Sequence, residues 1–206
     1  MKLGIVGNGF VGNALHQGFK NFYDVRVCDS NPERSLNSLE EINECEVIFV
    51  CVPTPMSTIG QIDLSILKDV LETLRSGLIV VKSTITPSGA EEVTSYFKSH
   101  NIVYNPEFLT ERTAVEDFQN PSRIVLGGND EAVVIVKKIY KNLFPDVQYV
   151  LTDYKTACFI KYMSNCFSAA KVSLMNEFKQ IAESDSIIWD DAIEGPWIVT
   201  GKQAVL

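Results

Sequence analysis

The sequence predicts an α/β fold in which a doubly wound, parallel β-sheet is followed by one long α-helix. Over residues 1–152, short apolar runs of strand length alternate with stretches of helical spacing, as in sheets whose crossover helices cover both faces. The strand runs lack polar alternation, which indicates burial on both faces. From Asp153 to about Glu183 the chain contains neither proline nor glycine, and its apolar stripe predicts a helix of about 30 residues.

Each element is predicted from its own stretch of sequence. The strands are Lys2 to Val6, Asp24 to Cys28, Val47 to Cys51, Leu78 to Lys82, Ile102 to Tyr104, Arg123 to Leu126 and Gln148 to Leu151. The helices before the long one are Val11 to Phe22, Asp63 to Leu74, Pro87 to Ser99 and Glu131 to Asn142. In the second of these helices, Leu64, Leu67 and Leu71 recur at intervals of three and four, which is typical of a helix that buries one face.

Composition and charge exclude several classes of function. The chain has 206 residues, 18 of them basic and 26 acidic, and a formal net charge of -8. This balance argues against a general binder of nucleic acid or of anionic membranes, since both favour a basic face. The most apolar run, Val47 to Val52, is far shorter than the roughly 20 residues that a spanning helix needs. We therefore expect no membrane anchor, and the early glycines at the N-terminus do not fit a signal peptide.

The five cysteines are odd in number and form no C-x-x-C pair. This pattern supports neither a disulfide framework nor a metal site, so no metal is expected. Reduced thiols in a cytoplasmic protein are the simplest interpretation.

A G-x-G-x-x-G motif, Gly7-Asn8-Gly9-Phe10-Val11-Gly12, ends the first predicted strand and opens the first predicted helix. Gly7 allows the tight turn, Gly9 lets a pyrophosphate approach the backbone, and Gly12 lets helix and strand pack closely. Asp29 ends the second strand, where its carboxylate suits the ribose hydroxyls of adenosine and repels a 2′-phosphate. A Rossmann-type site that prefers NAD to NADP is therefore predicted. The alternatives are a glycine turn without a ligand and, because Arg26 and Arg34 lie nearby, a weaker preference for NAD.

The motifs resemble those of the UDP-glucose/GDP-mannose dehydrogenase family. The matching blocks extend from Met1 to about Glu194 and are GIVGNGFVG, VCDSNP, FVCVPTP, VKSTITPSG, YNPEFLTERTAVEDFQNPSRIVLGG and KYMSNCFSAAKVSLMNEF. The glycine loop is shared with many dehydrogenases, whereas the NPEFL block combined with the later helix is specific to this family.

The resemblance implies two nucleotide-binding α/β domains joined by a long helix that often builds a homodimer. Family members oxidise the 6-hydroxymethyl group of a nucleotide-sugar to a carboxylate with two NAD, and a cysteine thiol traps the aldehyde on the way. UDP-glucose is the favoured substrate. Residues 1–152 are then the NAD-binding domain, and residues 153–206 the central dimerisation helix with a truncated tail. The residues expected to bind the cofactor are Gly7, Gly9, Phe10, Val11, Gly12, Asp29, Val52, Pro53, Thr54 and Thr84.

Five residues match catalytic positions of the family. By resemblance, Thr84 helps position a catalytic water, Glu107 is a water-linked acid/base residue, and Glu111 is associated with thioester hydrolysis. Lys161 and Asn165 match the pair that steadies a developing oxyanion. A lysine and an amide at i and i+4 share one helix face and both can donate hydrogen bonds to an alkoxide. Without the resemblance, such a pair is typical of a solvated face, and loop glutamates often cap helices.

Family members continue into a second domain that begins with a G-x-C-x-x-K-D-like segment carrying the nucleophile, and this segment is absent from the 206 residues. The residues from Pro196 to Leu206 also depart from the family pattern. Cys158 stands where the family usually has glutamate, and Cys166 is the one cysteine worth testing as a reactive thiol. We expect the chain to bind NAD without completing the oxidation. The alternatives are a non-catalytic NAD-binding or dimerisation module and, less favoured, a two-electron hydroxyacid or phosphogluconate-type dehydrogenase.

Overall fold

A computed structural model describes residues 1–75 and 77–194 of the chain. The predicted departure of Pro196 to Leu206 from the family pattern lies outside these residues. The chain forms two compact units, one from Met1 to Tyr162 and one that begins at Met163. None of the helices in the described part of the chain is both long enough and apolar enough to cross a membrane.

A seven-stranded sheet forms the centre of the first unit. In chain order its strands are β1 (Lys2–Val6), β2 (Asp24–Cys28), β3 (Val47–Val50), β4 (Leu78–Val81), β5 (Asn101–Tyr104), β6 (Arg123–Gly128) and β7 (Gln148–Thr152). Their order across the sheet is β2-β1-β3-β4-β5-β6-β7. The chain therefore runs outward from β1 in both directions, which confirms the predicted doubly wound α/β fold.

One strand pair departs from the predicted all-parallel sheet. All other neighbours are parallel, but β5 pairs with β6 antiparallel, with Val103 opposite Gly128 and Tyr104 opposite Gly127. A parallel return needs a crossover that carries the chain back along the whole strand, usually a helix. The connection here holds a six-residue helix, Ala114–Gln119, so the chain re-enters the sheet from the same edge that it left.

The helices were predicted with small errors at their ends. They are α1 (Phe10–Phe19), α2 (Leu39–Ile42), α3 (Ser65–Thr73), α4 (Pro87–Tyr96), α5 (Ala114–Gln119), α6 (Asp130–Lys141), α7 (Tyr154–Ser184) and α8 (Trp189–Glu194). The short helices α2, α5 and α8 were missed, because four to six residues carry too little periodicity to be recognised. The 31-residue α7 confirms the long helix.

Apolar side chains cover both faces of the sheet. On one face Leu3, Ile5 and Phe49 pack in a cluster with residues of α1 and α6. On the other face Ile48 and Val50 belong to a cluster shared with α3 and α4. The strands β3 and β4 are buried at every position, so their uninterrupted apolar runs reflect two-sided burial. The sheet is thereby fixed as a rigid platform for the loops at its edge.

Candidate active site

A cleft of about 690 Å³ lies along the edge of the sheet where the parallel strands end. Its lining comes from the segments that follow β1 to β5, which is where open α/β sheets bind ligands. Nine of the ten predicted cofactor-binding residues line it: Gly7, Gly9, Phe10, Val11, Asp29, Val52, Pro53, Thr54 and Thr84. The tenth, Gly12, is buried behind the turn.

The glycine loop is held by close backbone contacts. Gly7 has a φ of +92°, and a Cβ atom there would lie 2.5 Å from the carbonyl oxygen of Cys51. A Cβ at Gly12 would lie 1.8 Å from the carbonyl oxygen of Gly7. A Cβ at Gly9 would meet no atom within 4 Å. Two of the glycines are thus required by the packing of the protein itself, and Gly9 leaves open space at the cleft.

The first turn of α1 presents amides without a capping side chain. Gly9 is the N-cap residue and provides no side-chain hydrogen bond, and no acidic residue lies in the first turn. The first amides of a helix have no partner within the helix, and they carry the positive end of its dipole. The lining residues Phe10 and Val11 therefore belong to a turn that suits an anionic group.

The Asp29 carboxylate lies at the end of the cleft next to β2. One oxygen accepts a hydrogen bond from the backbone amide of Asn8 at 2.5 Å, and the other accepts one from the amide of Asn31 at 2.8 Å. These bonds fix the carboxylate beside the glycine loop. Arg34 lines the same cleft. Arg26, in contrast, is engaged by two acidic side chains at 3.1 and 3.7 Å outside the lining.

Hydrogen bonds tie the loops after β3 and β4 together across the cleft. The Thr54 hydroxyl donates to the carbonyl of Thr84 at 2.6 Å, and the Ser83 hydroxyl donates to the carbonyl of Val52 at 2.7 Å. Each loop therefore restrains the other. Cys51 also lines the cleft, but burial raises the pKa of its thiol to about 12, so it remains a neutral thiol near pH 7.

Two of the predicted catalytic residues form a direct ion pair. The Lys161 ammonium donates to one oxygen of the Glu107 carboxylate at 2.7 Å, and the backbone amide of Leu109 donates to the other at 2.6 Å. Both side chains are largely buried, at 5% exposed for the lysine and 12% for the glutamate. The Phe108 ring contacts two cations, with the Arg123 guanidinium 4.4 Å and the Lys161 ammonium 5.5 Å from its centre.

Sequence reasoning missed Lys82, which lines the cleft from the end of β4. Its side chain is buried and donates to the side-chain oxygen of Asn105 at 3.0 Å. The Tyr140 hydroxyl donates to the same oxygen at 2.6 Å. Burial lowers the pKa of Lys82 to about 8. The sequence signal that could have indicated Lys82 is its position directly after an apolar strand, where the chain leaves the core at the edge of the sheet.

The remaining predicted residues are not part of this cleft. Glu111 is exposed in a 3₁₀ turn, Glu111–Thr113, and is not among the described residues that line the cleft. Asn165 and Cys166 belong to the second unit, where both are exposed on α7. Cys158 is buried in the first unit, and burial raises the pKa of its thiol to about 12.

Comparison with known sequences identifies the family to which this chain is similar. The profile of the NAD-binding domain of the UDP-glucose/GDP-mannose dehydrogenase family matches residues 29–144. A UDP-glucose 6-dehydrogenase of Rickettsia conorii is 39% identical over 153 residues, which are 69% of this chain and 35% of that protein. The chain thus spans about a third of the length of that protein and of two further curated relatives.

Solved structures agree with this similarity. A UDP-glucose dehydrogenase from Pyrobaculum islandicum superposes with a TM-score of 0.84 and 27% identity, over 94% of this chain and 55% of that one. A GDP-mannose dehydrogenase from Pseudomonas aeruginosa also gives a TM-score of 0.84, over 94% of this chain and 56% of that one. Its identity of 22% supports the shared fold alone.

Proposed function

Because the chain belongs to the UDP-glucose/GDP-mannose dehydrogenase family and contains its NAD-binding domain, we propose that it is the NAD-binding part of a nucleotide-sugar 6-dehydrogenase whose favoured substrate is UDP-glucose. Residues 1–152 hold the cofactor, and residues 153–206 contribute the central helix. The observation that carries this proposal is the cleft lined by the glycine loop, Asp29 and Glu107 along one sheet edge, with Glu107 paired to Lys161.

The residues present fit NAD. The open side of Gly9 and the uncapped first turn of α1 suit the diphosphate. Asp29 retains lone pairs for the ribose hydroxyls, because each of its two oxygens accepts one hydrogen bond from a backbone amide and has further lone pairs. The side-chain oxygen of Asn8 is buried without a partner among the described residues, so it is a further acceptor beside that carboxylate.

When bound, NAD⁺ supplies the hydride acceptor for oxidation of the sugar. The Thr84 carbonyl accepts the hydrogen bond from Thr54 that joins the two loops of the cleft. The Thr84 hydroxyl serves to orient a water molecule or the cofactor. Glu107 serves as the acid/base residue, since a carboxylate within hydrogen-bond reach can orient or deprotonate a water. Lys161, paired with it, donates to the oxygen that gains charge. In this proposal Glu111 takes part in thioester hydrolysis, and Asn165 donates a hydrogen bond to the developing oxyanion.

The nucleophilic thiol is not expected from the described cysteines. Cys51 lines the cleft, but the raised pKa of its thiol disfavours the thiolate that covalent catalysis needs. We therefore propose that this chain alone binds NAD and does not carry out the four-electron oxidation.

The long helix is proposed to build a homodimer. On α7 the side chains of Met163, Phe167, Leu174, Phe178 and Ile181 are 45 to 55% exposed, although all are apolar. They recur on one side of the helix, and soluble monomers rarely leave such a stripe uncovered. The same stripe favours the second candidate function, a non-catalytic module that dimerises with a full-length relative.

Calorimetric titration of the purified chain with NAD⁺ distinguishes these functions. The first proposal expects saturable binding of NAD⁺ and no UDP-glucuronate when UDP-glucose is added. The assembly module expects no NAD⁺ affinity and co-purification with a full-length relative. Stoichiometric formation of UDP-glucuronate by the chain alone would contradict the proposal that these cysteines do not supply the nucleophilic thiol.

A further inference from the structure

Lys82 carries a buried positive charge that the proposed function has not used. Its side chain is 5% exposed, and its hydrogen-bond partner is the neutral side-chain oxygen of Asn105 at 3.0 Å. Among the described residues, the ammonium makes no ion pair with a carboxylate. Burying an ammonium beside a neutral partner destabilises a protein, so the residue requires an explanation other than stability.

The charges around Lys82 leave it uncompensated. The titratable groups that face it are Cys51 after β3, Glu107 after β5 and Lys161 on α7. Glu107 is already paired with Lys161 at 2.7 Å, and the thiol of Cys51 is neutral because burial raises its pKa to about 12. Tyr140, on α6, donates to the Asn105 oxygen and is likewise neutral, since burial raises its pKa. One net positive charge therefore remains at this end of the cleft.

The strand order locates that charge relative to the proposed cofactor. Asp29 follows β2 at one end of the cleft, the glycine loop follows β1, and Lys82 follows β4, two strands further along the sheet from β1. If Asp29 binds the adenosine ribose, as the proposed function requires, the nicotinamide half extends toward Lys82. The nicotinamide ring is cationic when oxidised and neutral when reduced, so a nearby ammonium repels only the oxidised form.

We propose that Lys82 tunes the bound cofactor electrostatically, weakening the binding of NAD⁺ relative to NADH and thereby making the bound cofactor a stronger hydride acceptor. This inference rests on the proposed NAD site. The charge of Lys82 acts on the nicotinamide half of the cofactor, whereas the glycine loop and Asp29 bind the diphosphate and the adenosine ribose.

The protonation of Lys82 provides an internal control. Because burial lowers its pKa to about 8, the side chain is charged near pH 7 and becomes neutral as the pH rises above that value. The preference for NADH should fall over the same range. The neighbouring thiol of Cys51, with a pKa of about 12, stays neutral there and does not add a competing charge.

The test is a calorimetric measurement of the NAD⁺ and NADH dissociation constants for the whole chain at pH 7. Lys82→Met removes the charge and keeps a similar volume, and Asn105 retains its bond to Tyr140. Lys138→Met removes the same charge from an exposed position of α6 outside the cleft lining. Circular dichroism establishes that each variant is folded.

We expect the ratio of the NAD⁺ to the NADH dissociation constant to fall about tenfold in Lys82→Met, the scale of a unit charge acting across a partly buried site. It should not change in Lys138→Met. In the unmodified chain the ratio should decline between pH 7 and 9.5, which tests the inference even if Lys82→Met does not fold. An unchanged ratio in a folded Lys82→Met, or a pH-independent ratio, overturns the role of Lys82. Failure of the unmodified chain to bind either dinucleotide overturns the proposed function itself.

Discussion

The ammonium of Lys161 donates to the carboxylate of Glu107 across 2.7 Å, although the two residues lie 54 positions apart in the chain. One residue follows β5 and the other lies in the first third of α7. Both are largely buried, so the pair is shielded from solvent and its charges interact strongly. The ion pair therefore fixes a carboxylate and an ammonium at one place on the sheet edge.

Breaking this pair should destabilise the fold. Lys161→Met leaves the Glu107 carboxylate buried with the Leu109 amide as its remaining short contact, so we expect a loss of about 3 kcal/mol in the free energy of unfolding. Adding Glu107→Gln should restore much of that loss, because the uncompensated charge is removed. Urea denaturation of the single and double variants measures the coupling. Lys179→Met, which breaks an exposed pair on α7, is the control and should cost under about 0.5 kcal/mol.

Two glycines of the loop should respond differently to alanine. Gly12→Ala places a methyl group against the carbonyl oxygen of Gly7, so we expect a loss of about 2 kcal/mol or more in stability. Gly9→Ala meets no protein atom and should leave the melting temperature nearly unchanged. Its methyl group instead occupies the open space where the diphosphate is proposed to bind. Calorimetry should therefore show at least a tenfold weaker affinity for NAD⁺, and unchanged affinity would argue against this location of the diphosphate.

The Asp29 carboxylate should set the preference for NAD over NADP. In Asp29→Asn the negative charge that repels a 2′-phosphate is gone, while Arg34 still lines the cleft. We expect the ratio of the NADP⁺ to the NAD⁺ dissociation constant to fall about tenfold. Asp24→Asn removes the same charge from the start of β2, where Asp24 pairs with Arg26, and should leave the ratio unaltered. Equal shifts in both variants would indicate a general charge effect.

Lys82 should make stability depend on pH in a defined direction. Folding lowers its pKa from 10.5 to about 8, so between these pH values the unfolded chain binds more protons and stability rises with pH. Below about pH 8 Lys82 is protonated in both the folded and the unfolded chain, so the full free-energy cost of burying its charge is present. Lys82→Met removes this penalty, by up to about 3 kcal/mol, so the variant should be more stable than the unmodified chain at pH 7. Denaturation of both proteins from pH 7 to 10 should show this difference shrinking as the pH rises; a growing difference would contradict the assignment.

The apolar stripe of α7 should control assembly. Phe178→Glu places a charge in the stripe and is expected to convert a dimer into monomers at micromolar concentration, as measured by sedimentation. Gln180→Glu adds a charge about 200° further around the helix and should leave the dimer intact. A monomeric unmodified chain would remove the proposed homodimer.

Local sequence determined most of the fold and half of the site. Short runs rich in apolar residues identified the strands, and the unbroken runs of β3 and β4 reflect two-sided burial, which tolerates few polar side chains. The glycine spacing and the position of Asp29 predicted a dinucleotide site, and both lie in the cleft proposed to bind NAD, because they belong to one β-α-β unit. The long helix followed from 31 consecutive residues without a break.

Contacts between distant segments were decided by the tertiary structure. The antiparallel pairing of β5 with β6 depends on how far the short α5 can carry the chain, and strand composition does not encode that distance. Lys82 and Asn105 meet because β4 and β5 are neighbours in the sheet, and Glu107 meets Lys161 because α7 returns to the same edge. Periodicity and turn chemistry are properties of adjacent residues, whereas the partner of a buried charge depends on the order in which the strands and helices pack.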